Sequence, residues 1–258
     1  MTDWPGAYGR DIRVEVDSTN AEALRQSAQG VAGPVWILAH GQTAARGRRG
    51  RPWTSPPGNF SATLLIRPEG PQSVAALRSF VAALALRDAL VAATGRPELF
   101  ALKWPNDVLL SERKLAGILL EASAGALAIG FGVNLVSAPT SAQVEPGAVP
   151  PVALAEATGV AVAPEAFLGL LAPAFARWEE RLARDGFTPL REAWLGHAAR
   201  LGEPITARLP GREMTGAFET IDETGALVLG TAAGRIALPA AEIHFGTFEG
   251  GGLHAARD

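Results

Sequence analysis

Apolar positions along this 258-residue chain fall into many short runs and few long periodic ones. Runs at 14–16, 35–39, 60–66, 100–103, 108–110, 115–121 and 127–136 read as strands, bounded by Gly, Pro, Asp or Ser. Residues 21–29 are rich in helix formers, and Thr19 and Glu22 before them have the spacing of a capping box. Residues 73–94 predict one long helix. Its apolar positions, Val74, Leu77, Val81 and Leu84 among them, leave little polar face, so it is expected to be covered. Beyond a loop at 137–151 rich in Ala, Pro and Gly, residues 152–158, 164–184 and 189–199 predict further helices. The pattern then changes to short strands at 202–209, 215–221, 226–229, 235–238 and 242–245, a small all-β barrel of about 45 residues. Strands at hairpin distance predict an α+β fold: a mostly antiparallel sheet with helices on one side, followed by the barrel. The expected division is 1–200, 201–250 and a tail at 251–258.

Composition narrows the function classes. A hydrophobic fraction of 48% supports a real core, and no run of about 18 apolar residues predicts a membrane span. Residues 1–10 carry no apolar signal region, so the chain reads as cytoplasmic. With no cysteine there is neither a disulfide nor a thiolate nucleophile, and the four scattered histidines have no ligand-like spacing. The net charge of −3 argues against a general DNA binder.

Positive charge is nevertheless concentrated at one place. Arg46, Arg48, Arg49 and Arg51 alternate with Gly47 and Gly50 inside residues 42–53, between two apolar strands. Glycine admits close backbone approach, and arginine grips phosphate or carboxylate with a planar fork. The stretch is a candidate anion site; its plainer reading is a solvated, mobile basic loop. The only lysines, Lys103 and Lys114, both lie in further polar clusters. Asp17 to Asn20 reads first as a helix cap. It is also suited to bind a small polar ligand through hydroxyls and free N–H groups.

These clusters occur in a fixed order: Asp17-Ser18-Thr19-Asn20; Gln42 through Arg46, Arg48, Arg49 and Arg51 to Trp53; Lys103-Trp104-Pro105-Asn106-Asp107; Arg113-Lys114-Leu115-Ala116-Gly117-Ile118; and Gly130-Phe131-Gly132-Val133-Asn134. The set resembles the motifs of biotin–protein ligases over about residues 14–248. The resemblance implies a class II biotin/lipoate ligase-like catalytic domain with a mixed, mostly antiparallel sheet flanked by helices, then an SH3-like barrel. It also implies a two-step reaction. The biotin carboxylate attacks the α-phosphate of ATP, with Mg2+ required, to give biotinyl-5'-AMP and pyrophosphate. A lysine amine of a biotin carboxyl carrier protein, an acetyl-CoA carboxylase subunit, then attacks the anhydride and AMP leaves.

Bringing an anion against a polyanion needs positive charge at the reacting atoms. On the resemblance, Arg48 and Arg51 meet phosphate, Arg46 lies near the carboxylate side, and Lys114 bridges carboxylate and phosphate. Without the motif, Lys114 would read as a solvated turn lysine. The neutral ureido ring of biotin needs donors and acceptors, for which Ser18, Thr19, Asn20, Gln42 and backbone near Gly117 are candidates. Gly117 and Gly130 either admit the ligand or serve packing between strands. Asn106 resembles the residue that contacts adenine, with Lys103 and Arg49 beside the nucleotide and Asn134 at the same site. Trp53 reads as a packing residue, and the resemblance sets it at the adenylate. For Asp107 three readings stand together: Mg2+ ligand, partner of the attacking amine, or turn cap.

Both loops, 43–52 and 137–151, are expected to order on adenylate binding. One departure from the family pattern is Ala45 in place of a glycine, which puts the backbone contact there in doubt. The stretch before Asp17 is too short for a helix-turn-helix, so no repressor function is expected of it. Exposed strands of the central sheet suggest a homodimer. The nearest alternative is a lipoate ligase or lipoyl transferase; a nucleic-acid binding module is more remote, because the barrel carries few basic residues.

Overall fold

A computed structural model of the chain describes residues 4–140, 143–145, 147–239 and 241–245. The expected tail at 251–258 lies outside them. Seven strands form the larger sheet: β1 (Gly9–Val16), β2 (Val35–Gln42), β3 (Phe60–Ile66), β4 (Phe100–Lys103), β5 (Asp107–Leu110), β6 (Arg113–Ser123) and β7 (Ala126–Val133). Their order is β1-β2-β3-β7-β6-β5-β4. Only β1 and β2 run parallel, joined by α1 (Thr19–Ala28); every other pair in this sheet is antiparallel. Two tight hairpins set the register. Ser111 and Glu112 between β5 and β6, and Ala124 and Gly125 between β6 and β7, all have positive φ, as a two-residue turn matching strand twist requires.

The apolar strand residues divide between two faces. Trp36, Leu38, Leu64, Ile129 and Phe131 pack under α3 (Arg78–Thr94) and α5 (Pro164–Asp185), where Trp36 meets Phe131 and Phe175 at centroid distances of 5.4 and 6.0 Å. Ile37, Leu65 and Ala128 face the other way and pack against Ala23 and Leu24 of α1. The expectation of helices on one side is thereby corrected: α1 covers part of the opposite face, where small alanines let a helix approach.

Three local expectations also change. Ser18, not Thr19, caps α1: its Oγ accepts from Ala21 N at 3.4 Å, and Glu22 pairs with Arg25 instead of closing a capping box. The long helix at 73–94 is split into α2 (Gln72–Ala76) and α3 by a tight turn at Leu77, which lies with Phe80 against Gly225. After α4 (Leu154–Thr158), the last helix, α6 (Thr188–Leu195), ends early because residues 197–199 leave it to pair with the edge of β4. Leu102 N donates to His197 O and Ala199 N to Leu102 O, both at 2.8 Å.

The second sheet contains β8 (Pro204–Leu209), β9 (Arg212–Ile221), β10 (Leu227–Thr231), β11 (Gly234–Leu238) and β12 (Glu242–His244), in the order β11-β10-β9-β8-β12, all antiparallel. It packs onto α6 through Phe218 and Trp194, centroids 6.4 Å apart. Trp104 Nε1 donates to Gly225 O at 3.1 Å, which ties the turn before β5 to this sheet. Among the described residues no helix is long and apolar enough to cross a membrane.

Candidate active site

Strand register builds a trough on the α1 side of the larger sheet. Asp107, Gly117, Gly132 and Ser61 stand opposite one another across four strands, and Leu119, Gly130 and Thr63 form a neighbouring row. The glycines lower the floor. Trp53 lies over it so closely that a Cβ on Gly132 would come within 2.6 Å of the indole, and a Cβ on Gly130 would collide with Asn20 Oδ1. At Gly117 a Cβ would make ordinary contacts, the nearest 3.5 Å from Trp53. Close packing requires glycine at 130, and also at 132, which was not singled out. It does not explain Gly117.

Above the trough is a cavity of about 290 Å³ that every sequence-predicted site residue lines. Six cationic side chains (Arg46, Arg48, Arg49, Arg51, Lys103, Lys114) and three carboxylates (Asp107, Glu145, Glu242) border it. The cavity is positive in a chain whose formal charge is −3.

At one end the groups are neutral and closely bonded. Gln42 Oε1 accepts from Thr19 N at 2.8 Å and lies 3.2 Å from Thr19 Oγ1, which leaves the Gln42 amide nitrogen without a partner in this cluster. The buried Thr63 hydroxyl lies 2.8 Å from Thr19 Oγ1 and 2.6 Å from Asn20 Oδ1. Asn20 Nδ2 donates to Glu121 at 2.8 Å, and Glu121 also holds Arg46 at 3.1 Å. Arg46 and Glu121 thus form an ion pair beside these neutral groups.

The centre is an ionic triad. Lys114 Nζ is 2.9 Å from Asp107 Oδ1, and Lys103 Nζ is 3.9 Å from Asp107 Oδ2. Lys103 is buried, and burial pushes its ammonium below its ordinary range while Asp107 opposes the shift. Asp107 Oδ1 has no directed hydrogen bond among the described residues, although it meets the Lys114 charge. Lys114 also sits 5.7 Å from the Trp53 ring centroid. Its backbone is clamped: Lys114 N donates to Pro150 O at 2.8 Å and Val152 N to Lys114 O at 3.0 Å.

The far end holds the arginine loop. A β-bridge between Arg46 and Pro52, with Trp53 N donating to Ala45 O at 3.0 Å, closes it. Ala45 is not among the residues with positive φ, so its methyl meets no left-handed strain; Arg49, at φ 59°, takes that conformation instead. Arg48 is half-buried and its only side-chain bond among the described residues is a long one, 3.4 Å, to Asn106 Oδ1. Burial pushes its guanidinium down, opposed by Asp107, yet guanidinium stays charged at any working pH. Arg51 is instead fully engaged, by Glu242 and Glu145. Asn106 Nδ2 is committed to Ile118 O at 2.6 Å, whereas the buried Asn134 Oδ1 has no partner among the described residues.

Glu121, Thr63, Glu145, Glu242 and His244 were absent from the sequence reading. Asp107 already faces two ammonium groups, at 2.9 and 3.9 Å, and no cluster of three His, Asp or Glu suited to a metal occurs among the described residues. These residues do not fit a resident metal ion.

Residues 13–134 match the model of the Biotin/lipoate A/B protein ligase family, and residues 201–246 match the Biotin protein ligase C terminal domain. The chain is 57% identical over 235 residues to the biotin--[acetyl-CoA-carboxylase] ligase of Paracoccus denitrificans, covering 89% of this chain and 98% of that one.

The chain belongs to the biotin protein ligase family.

A more distant family member, the bifunctional ligase/repressor BirA of Escherichia coli, is 30% identical over 222 residues, 83% of this chain and 67% of that one. The biotin protein ligase from Aquifex aeolicus solved in complex with biotin and ATP is 26% identical, with a TM-score of 0.76 over 91% of this chain and 97% of that one. The fold is the biotin/lipoate ligase catalytic domain followed by the SH3-like C-terminal domain of this family.

Proposed function

We infer that this chain is an ATP-dependent biotin–protein ligase, dividing near Arg200 into a catalytic and a C-terminal domain. It joins biotin to ATP as biotinyl-5'-AMP and passes biotin to a lysine of a biotin carboxyl carrier protein. The observation that carries this is the layout of one cavity: a neutral hydrogen-bonding end, a lysine–carboxylate triad at the centre and the half-buried Arg48 beyond it.

The ureido ring takes the end built by Ser18, Thr19, Asn20 and Gln42, where donors and acceptors suit a neutral group. Its valeryl carboxylate then reaches Lys114. In the first step a carboxylate oxygen attacks the α-phosphorus and pyrophosphate leaves. The Lys114 ammonium exchanges Asp107 for the two reacting anions, a bridge suited to a compact charge. Arg48, with no carboxylate partner among the described residues, meets the phosphate. Asn134 Oδ1 and the Asn106 carbonyl are the acceptors for the nucleoside. The Asn106 amide nitrogen is committed to backbone, so any contact with adenine through it requires rearrangement. Mg2+ enters with the triphosphate as part of the substrate.

In the second step the acceptor amine attacks the anhydride carbonyl and AMP leaves. Asp107, released by Lys114, takes the ammonium proton of the acceptor lysine. Of its three readings this one fits the triad best.

Biotin-dependent exchange of labelled pyrophosphate into ATP tests the assignment. Exchange with biotin and none with lipoate is expected. Exchange with lipoate alone would move the chain to the lipoate branch of the family.

A further inference from the structure

Arg48 and Arg51 are three residues apart and were both expected to meet phosphate, yet their surroundings differ. Arg51 presents two hydrogen-bonding edges; Glu242 fills one and Glu145 faces the other. Nη1 and Nη2 donate in parallel to Glu242 Oε1 and Oε2, each at 2.6 Å, and Nε faces Glu145 Oε1 at 3.0 Å. Arg49 adds a longer contact to Glu242 at 3.4 Å. The fork-to-fork geometry is the one a phosphate would use on the same guanidinium. The two carboxylates come from different parts of the chain: Glu242 from β12 of the second sheet, Glu145 from the loop before α4. Glu242 is the firmer partner, with a side chain 23% exposed against 56% for Glu145.

We propose that Glu242 is a positioning residue that holds the Arg51 fork as an internal substitute for phosphate, so that nucleotide binding requires the C-terminal strand to yield it. The proposal rests on the reading of Arg51 as a phosphate ligand. An incoming triphosphate and the Glu242 carboxylate cannot share the Nη1–Nη2 edge, since both need two parallel acceptors there. Apparent nucleotide affinity is therefore reduced by the fraction of molecules in which Glu242 occupies the fork. His244, two residues on, lies 3.1 Å from Gly147 O, so release of β12 also loosens the loop that carries Glu145. The second sheet thus sets how tightly the nucleotide binds without contributing a phosphate ligand of its own.

The test is titration of the full chain, saturated with biotin, with a triphosphate analogue whose α,β-bridge is methylene. Glu242→Gln keeps the shape but not the charge, and it is expected to tighten the analogue by roughly fivefold, the worth of a well-formed partly exposed ion pair. It should lower KM for ATP with little change in kcat. Glu145→Gln, made in parallel, is expected to give a smaller gain. Arg51→Gln should weaken the analogue, and Arg51→Gln with Glu242→Gln should match Arg51→Gln alone. Unchanged or weaker binding in Glu242→Gln, with Arg51→Gln still weakening it, overturns the proposal and makes Glu242 a support. A gain that persists without Arg51 also overturns it, because the carboxylate would then act as a general charge. No effect of Arg51→Gln removes the phosphate-ligand reading itself.

Discussion

Asp107 Oδ1 stands 2.9 Å from the Lys114 ammonium, while its other oxygen lies 3.9 Å from Lys103. One half-buried carboxylate thus holds the only two lysines of the chain at the centre of the cavity. Removing Lys114 leaves Asp107 with its more distant partner and takes away the charge that bridges the reacting anions. Lys114→Ala is expected to slow pyrophosphate exchange by about 10²–10³-fold, the usual effect of losing a preorganised donor. Lys114→Arg should rescue it poorly, because a planar fork does not reproduce a compact ammonium. Exchange near the wild-type rate in Lys114→Ala would assign the bridge to another cation.

The three floor glycines separate packing from ligand contact. At Gly132 an added methyl would come 2.6 Å from Trp53, a rigid ring rather than a flexible tip. Gly132→Ala should displace the indole and cost about 1–3 kcal/mol, as overpacking does, visible as a lowered Tm. Gly117→Ala meets only ordinary contacts, the nearest at 3.5 Å, so the fold should keep its Tm. If the backbone there lies against biotin, Gly117→Ala should still weaken biotin binding in a titration. Full biotin affinity in that variant would return Gly117 to a packing role.

Much of this arrangement can be read in the chain because it is local. Lys103 to Asp107 and Arg113 to Gly117 each lie within one hairpin, so side chains near in sequence are near in space. Thr63 and Glu121 reach the neutral end through cross-strand register and interstrand side-chain bonds, and neither has a spacing that announces it. Glu242 arrives from 191 positions beyond Arg51, through docking of a second sheet. The end of α6 was hidden for a different reason. Ala198 and Ala199 favour helix, but the exposed backbone of β4 takes them as pairing partners. The strands were legible because their cores are continuous apolar runs, whereas the placement of α1 on the opposite face depends on which small residues of β7 face it.

Arg48 gives a prediction that distinguishes making the adenylate from keeping it. Its guanidinium is half-buried and, among the described residues, bonded only at 3.4 Å to Asn106, so it can grip the phosphate once the anhydride exists. Lys114 supplies charge at the reacting atoms during the first step. Arg48→Gly is therefore expected to release biotinyl-5'-AMP much faster than wild type while forming it at a less affected rate. Single-turnover formation and a filter-binding chase of the adenylate measure the two separately. Release no faster than wild type would mean that the loop, not this side chain, retains the product.

The carboxylate that binds Arg51 also makes the docking of the second sheet depend on acid. The bidentate bond from Arg51 outweighs partial burial and pulls Glu242 from its ordinary value of 4.5 to about 2. A depressed carboxylate contributes stability that is complete above its unfolded value and is lost as pH falls through the folded one. The Glu242 contribution is thus whole at neutral pH, declines below 4.5 and is nearly gone by about 2. Asp17, drawn to about 2 by Arg25, titrates in the same window but acts only on the start of α1. Comparison with Glu242→Gln isolates the clasp, because both proteins share every other titrating group. The difference in Tm between wild type and Glu242→Gln should be flat from neutrality to about pH 5, then narrow as the wild type loses its charge. A difference that stays constant under acid would show that Glu242 holds Arg51 through shape and hydrogen bonding alone, and the ionic account of the clasp would have to be abandoned.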